Sequence, residues 1–74
     1  MQITIKLFAT LRNNRFDSSK MEYSAGTTVL DVLNNLSISE KEAAIIFVNG
    51  RHVERDHVML DGDSVSIFPP IGGG

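Results

Sequence analysis

Few residues of this 74-residue chain have the types and spacing that chemistry needs, and the most suggestive lie at its end. The last stretch reads Phe68-Pro69-Pro70-Ile71-Gly72-Gly73-Gly74. Terminal glycines bring no side chain to a core and lose the most backbone entropy when ordered, so stability gives no reason for them. Their one distinctive group is the Gly74 α-carboxylate, whose carbonyl has no Cβ beside it to hinder a nucleophile. A tail without side chains also threads a narrow channel. Extended, the six residues from Pro69 to Gly74 reach at most roughly 20 Å, at about 3.3–3.6 Å each. That is enough to carry the carboxylate into another protein's active site. Gly-rich ends are also commonly frayed ends. The strand and the proline pair directly before the glycines favour a working tail. Pro69 and Pro70 have no amide hydrogen, so they stop a strand and hold the chain extended, away from the body.

The other candidates are weaker. The run His52-Val53-Glu54-Arg55-Asp56-His57 sets two imidazoles among carboxylates, but without geometry a solvated loop is the better reading and no metal site is expected. Asp61-Gly62-Asp63 reads as a turn rather than an acid pair. Ser64 and Ser66 lack the elbow context of a nucleophile, and Gly62 belongs to no phosphate-binding loop. The chain thus carries no catalytic constellation of its own. Having no cysteine, it cannot form a disulfide, a thiolate metal site or a Cys-ligated cluster. A net charge of −2 without a Lys/Arg cluster argues against nucleic acid. No apolar run reaches membrane-spanning length, and the N-terminus lacks the pattern of a secretory signal. The expectation is a cytoplasmic protein with no membrane or nucleic-acid partner.

The elements that must position the tail follow from periodicity. Gln2 to Ala9 alternates, with Ile3, Ile5, Leu7 and Ala9 on one face, and predicts a half-buried strand. Thr10 to Asp17 reads as a loop or short helical turn held by Leu11 and Phe16. A second strand runs over Lys20–Ser24, with Met21 and Tyr23 on one face. Thr28 with Asp31 fits a capping box, and Val29, Leu30, Val32, Leu33 and Leu36 fall at helical spacing. This predicts one short helix from Val29 to about Leu36. Ser37 to Glu42 is a polar connection with a possible turn after Ser39. Ala44 to Val48 predicts a buried strand, Asn49-Gly50 a type I′ hairpin turn, and Arg51 to Val53 the return strand. Val58 and Leu60 are expected to point into the core. Ser64 to Phe68 is the last strand, with Val65 and Ile67 inward. Phe8, Phe47 and Phe68 all fall out of phase with the inward residues of their strands. They are expected to share the sheet face opposite the helix and to form a partner-binding patch.

The order strand, strand, helix, strand, short strand, strand predicts an α+β roll, a mixed sheet of four to five strands on one main helix, with the first and last strands parallel at its centre. In order, length and ending the chain resembles the ubiquitin-like β-grasp proteins. Within them it is similar to the sulfur carriers of molybdopterin and thiamine biosynthesis, closest to the small subunit of molybdopterin synthase. The similarity spans the whole chain. It rests on Leu7-Phe8-Ala9-Thr10-Leu11-Arg12, on Thr28 to Leu33, on Val48-Asn49-Gly50 and above all on Leu60 to Pro70 with its terminal glycines. Ile71 followed by three glycines departs from the molybdopterin pattern of a small residue before Gly-Gly, and is closer to the thiamine carrier's ending. The resemblance implies a β-grasp domain over residues 1–70 and a flexible tail over 71–74. It implies that Gly74, with Gly73 beside it, is the reactive end, and that Gly72, Pro69 and Pro70 position it. An activating enzyme would adenylate the Gly74 carboxylate with ATP and a persulfide donor would supply sulfur. The resulting thiocarboxylate would serve a molybdopterin synthase large subunit or an equivalent sulfur acceptor. The chain itself would bind no cofactor and would not be an enzyme alone. Sulfur delivery for thiazole or another metabolite, and ubiquitin-like conjugation to lysines through Gly74, are the alternative readings.

Overall fold

The computed structural model describes residues 1–70. Five strands, one α-helix and one 3₁₀ turn form a single sheet with the helix on one face. Strand β1 (Gln2–Leu7) lies between β2 (Ser18–Glu22) and β5 (Ser64–Phe68). Beyond β5 come β3 (Ile45–Val48) and β4 (Arg51–His52), so the order is β2-β1-β5-β3-β4. The β1–β5 pair is parallel, with Ile5 opposite Val65 and Leu7 opposite Ile67, and the other three pairs are antiparallel. The expected centre of the sheet is therefore present.

The alternation of β1 and β5 decides which face is the core. Ile3, Ile5, Leu7, Val65 and Ile67 are fully buried and face α1 (Val29–Asn35), which returns Val29, Val32 and Leu33, also fully buried. Leu30 and Leu36 complete the predicted helical stripe but are only half-buried. At seven residues the helix is too short to stand alone, and packing holds it. Its start is fixed by the predicted capping box. The Thr28 hydroxyl accepts from the Asp31 amide at 3.2 Å, and the Asp31 carboxylate accepts from the Thr28 amide at 2.9 Å. The same reciprocal pair recurs between Ser39 and Glu42 in the turn that follows. The Ser39 amide holds the Glu42 carboxyl below its ordinary pKa. The turn expected after Ser39 is present, and the chain around it also buries Ile38 and Ala43 in the core, which the polar character of Ser37 to Glu42 did not announce.

Two expectations about side-chain direction are corrected. Ala9 does not continue β1: it takes φ of +53°, which breaks the strand after Leu7, and it is exposed at the start of a 3₁₀ turn over Ala9–Arg12. Val58 and Leu60 do not enter the core and are 49% and 67% exposed, whereas Met59 between them is 1% exposed. The bridge between Thr28 and Val58 and the Met59 amide bond to the Thr27 carbonyl (2.8 Å) set that phase. Boundaries also shift: β2 begins two residues before the expected Lys20, and β4 stops at His52.

The Asn49-Gly50 turn has positive φ at both residues, +51° and +82°, as a type I′ turn requires. It is tied to the turn before β5. Asp63, 8% exposed, accepts from Asn49 Nδ2 and from the Leu60 amide, both at 2.8 Å. Asn49 Oδ1 in turn accepts from the Ser64 amide at 2.9 Å. Asp63 is thus a structural polar centre at the root of the last strand. Asp63→Ala would leave those donors without their acceptor and should cost about 1–3 kcal/mol. Urea denaturation should show a lower midpoint with the slope unchanged.

Candidate functional site

Strand β5 ends at Phe68, directly before Pro69-Pro70, as the missing proline amides require. The Phe68 carbonyl still accepts from the Ala44 amide at 3.0 Å, so the chain leaves the sheet from a fixed point. Around that point lie the three predicted aromatics, each half-buried on the face opposite α1. Phe8 follows β1 in extended conformation (φ −126°, ψ 149°) and stacks on Phe68, with ring centroids 4.2 Å apart and planes at 14°. Phe47, on β3, meets Phe68 edge to face at 5.9 Å and 89°. The edge-to-face pair has the ordinary separation of aromatic rings and the stack is closer; such pairs contribute about 0.5–1.5 kcal/mol each beyond burial.

The cluster has ends that the sequence reading missed. The Arg12 guanidinium lies over the Phe8 ring, 5.4 Å from its centroid. It is aimed by an Nε bond to the Leu7 carbonyl at 2.7 Å and an ion pair to Asp17 at 3.5 Å. At the other end His52 meets Phe47 edge-on at 6.0 Å. Arg12 followed a turn of unassigned geometry, so nothing in its spacing pointed back to Phe8. Ile45 was legible, since it shares the phase of Phe47, and it pairs with Phe68. Together Phe8, Ala9, Ile45, Phe47, Phe68, Pro69 and Pro70 line one open apolar groove at the root of the tail. Pro69 and Pro70 thus belong to the same surface as the aromatics. Gly72, Gly73 and Gly74, the predicted reactive end, lie outside the described residues.

Elsewhere the residues weighed on sequence have structural positions. Asp61 accepts from the Gln2 amide at 2.7 Å and Asp63 forms the network above. The His57 carbonyl accepts from the Val29 amide at the start of α1. Among the described residues, no three of the His, Asp and Glu side chains converge as a metal-binding group. No helix among them is long and apolar enough to cross a membrane.

A mixed sheet with parallel central strands, packed on one helix and with its last strand at the centre, defines the β-grasp, ubiquitin-like class. The chain belongs to the ThiS family, whose model matches residues 5–74. It is similar in structure to a putative molybdopterin converting factor subunit 1 from Pyrococcus furiosus, at 29% identity and TM-score 0.78, covering 96% of this chain and 99% of that one. It also shares its fold with small archaeal modifier protein 1 of H. volcanii (20% identity, TM-score 0.75, 95% and 98% covered). A third similar structure comes from a complex of subunits 1 and 2 of the molybdopterin-converting factor of Helicobacter pylori (18% identity, TM-score 0.66, all of both chains covered).

Proposed function

We propose that this chain is a sulfur carrier whose Gly74 carboxylate is the reactive group, and that it donates sulfur as the small subunit of a molybdopterin synthase. The family match through residue 74 carries this reading, because it includes the glycine tail itself. Similarity to the Pyrococcus furiosus subunit favours the molybdopterin pathway over the thiazole one. In this reading residues 1–70 are the docking body and 71–74 the working tail. An activating enzyme joins the Gly74 carboxylate to AMP, releasing pyrophosphate from ATP. The terminal sulfur of a persulfide attacks the acyl carbon and AMP leaves. A thiol then cleaves the sulfur–sulfur bond, reducing it and leaving a thiocarboxylate. The large subunit supplies the pocket and the proton transfers for delivery to the pterin precursor.

The aromatic groove is the proposed docking surface for that larger partner, as the Helicobacter pylori structure contains a two-subunit complex. An anchor residue from the partner would fill the groove and thereby fix where the tail starts. Phe8→Ala, Phe47→Ala and Phe68→Ala should each weaken binding by about 2 kcal/mol, roughly thirtyfold. Phe68 should matter most, since it stacks on Phe8, meets Phe47 and directly precedes Pro69. Titration calorimetry with the large subunit checks this, and unaltered affinity in the triple variant would remove the docking role. The sulfur chemistry is tested by intact-protein mass after incubation with activating enzyme, ATP and a sulfur donor. The carrier reading expects replacement of one oxygen by sulfur. Protein conjugates through Gly74 would instead support the modifier reading.

A further inference from the structure

We propose that the partner docking on this face presents carboxylates beside its apolar anchor, and that Lys6 and Lys20 recognise them. The inference rests on the docking reading above and adds the partner's chemistry. Residues directly opposite across neighbouring strands share a sheet face. The registers therefore set Ser18, Lys6, Ser66, Phe47 and His52 in one row across the face opposite α1. Lys20, Thr4 and Ser64 form the next row on that face. Both lysines are exposed, and neither forms an ion pair among the described residues. Glu22 shares this face, opposite Gln2 in the row beyond Lys20, but pairs with the Met1 amino group at 3.7 Å. At the borders Asp17 pairs with Arg12 and Asp61 accepts from the Gln2 amide. Glu40 and Glu42 lie in the turn after α1, and Glu54 and Asp56 in the loop after β4. A chain of net charge −2 thus keeps a positive, hydroxyl-bearing strip beside its apolar groove.

The dimensions fit one interface. Lys6 is two residues from Phe8, about 7 Å along the strand, and the Lys20 row is about 7 Å further at 3.3 Å per residue. A partner covering the groove with an ordinary footprint of about 800 Å² covers the strip as well. Two unpaired lysines on a net-negative chain are too few to hold a phosphate polymer, whose binding needs several phosphates neutralised at once. They suit a protein rim carrying Asp or Glu, where they act mainly on the rate of encounter.

The test is association kinetics with the molybdopterin-converting-factor large subunit of the same organism. Lys6→Glu with Lys20→Glu should slow association about tenfold near 0.1 M salt, while dissociation changes much less. The difference should close near 1 M salt, where screening acts within about 3 Å. Lys41→Glu with Arg51→Glu makes the same change of net charge off this face and should leave the rate within about twofold, as rim effects are local at that ionic strength. Unslowed association of the Lys6/Lys20 variant, or equal slowing by both pairs, would overturn the inference. Loss of binding in the triple Phe variant with the lysine variant unaffected would overturn it alone and leave the docking reading standing. Absence of wild-type binding would overturn both. Melting curves and circular dichroism of every variant establish that the fold is kept.

Discussion

Leu33→Ala should lower the stability of the domain by about 2–5 kcal/mol, the range for truncating a buried leucine. Leu33 is fully buried on α1, and its carbonyl also accepts from the Ile38 amide at 2.9 Å. Truncation would open a cavity where the helix meets the fully buried residues of β1 and β5. Neither wall can close it easily, because β1 and β5 are hydrogen-bonded to each other and flanked on both sides. A chain of this length has a total stability of roughly 4–11 kcal/mol at about 0.05–0.15 kcal/mol per residue. The substitution therefore removes a large part of it and should shift the melting midpoint by about 8–40 °C, at about 4–8 °C per kcal/mol. Leu36→Ala is the comparison, since Leu36 lies on the same stripe but is half-buried at the helix end. It should cost clearly less. Equal melting of the wild type and Leu33→Ala would show that the helix does not pack through this face.

What was legible in the sequence was whatever a local rule decides by itself. Asn49-Gly50 fixed its turn because few residues tolerate positive φ in succession, and Thr28 with Asp31 fixed the helix start through two short bonds. The phase of Phe47 and Phe68 followed from strict alternation beside Ile46, Val48, Val65 and Ile67. Where several apolar residues adjoin, alternation cannot choose. Val58-Met59-Leu60 fits either phase, and the backbone bond from Met59 to Thr27, a tertiary contact, selects Met59. Ile38 escaped notice because a single apolar residue in a polar segment has no period. Ala9 failed as a strand residue because it takes a left-handed φ, which alternation of side chains does not report. The aromatic groove was half legible: three of its side chains follow from strand phase. The Arg12 cap and His52 edge needed the turn and the β3–β4 register before they could be placed. Asp63 was read as a turn residue, but its bond to Asn49 joins positions fourteen apart.

The largest effect is expected at the end of the chain. A carboxylate is a poor electrophile at neutral pH, because it is anionic and its leaving group would be oxide. Joining it to AMP supplies a leaving group, and the attacking sulfur must then come within about 3–3.5 Å of the carbonyl carbon in a closed pocket. One residue added after Gly74 moves the carboxylate by up to about 3.6 Å. It also leaves an amide where the acyl group should form, so activation and sulfur transfer should be abolished. Gly73→Ala tests the channel rather than the carboxylate. A methyl next to the reactive residue narrows the approach and restricts the tail's backbone, so it should slow activation or transfer severalfold or more. The buried core residues all lie between Ile3 and Ile67, and both proteins should melt like the wild type. The measurement is intact-protein mass after treatment with activating enzyme, ATP and a sulfur donor. The wild type should gain the difference between sulfur and oxygen, the Gly73→Ala protein should gain it more slowly, and the extended protein should not gain it. Sulfur transfer by the extended protein, with no trimming back to Gly74, would mean that another group carries the sulfur.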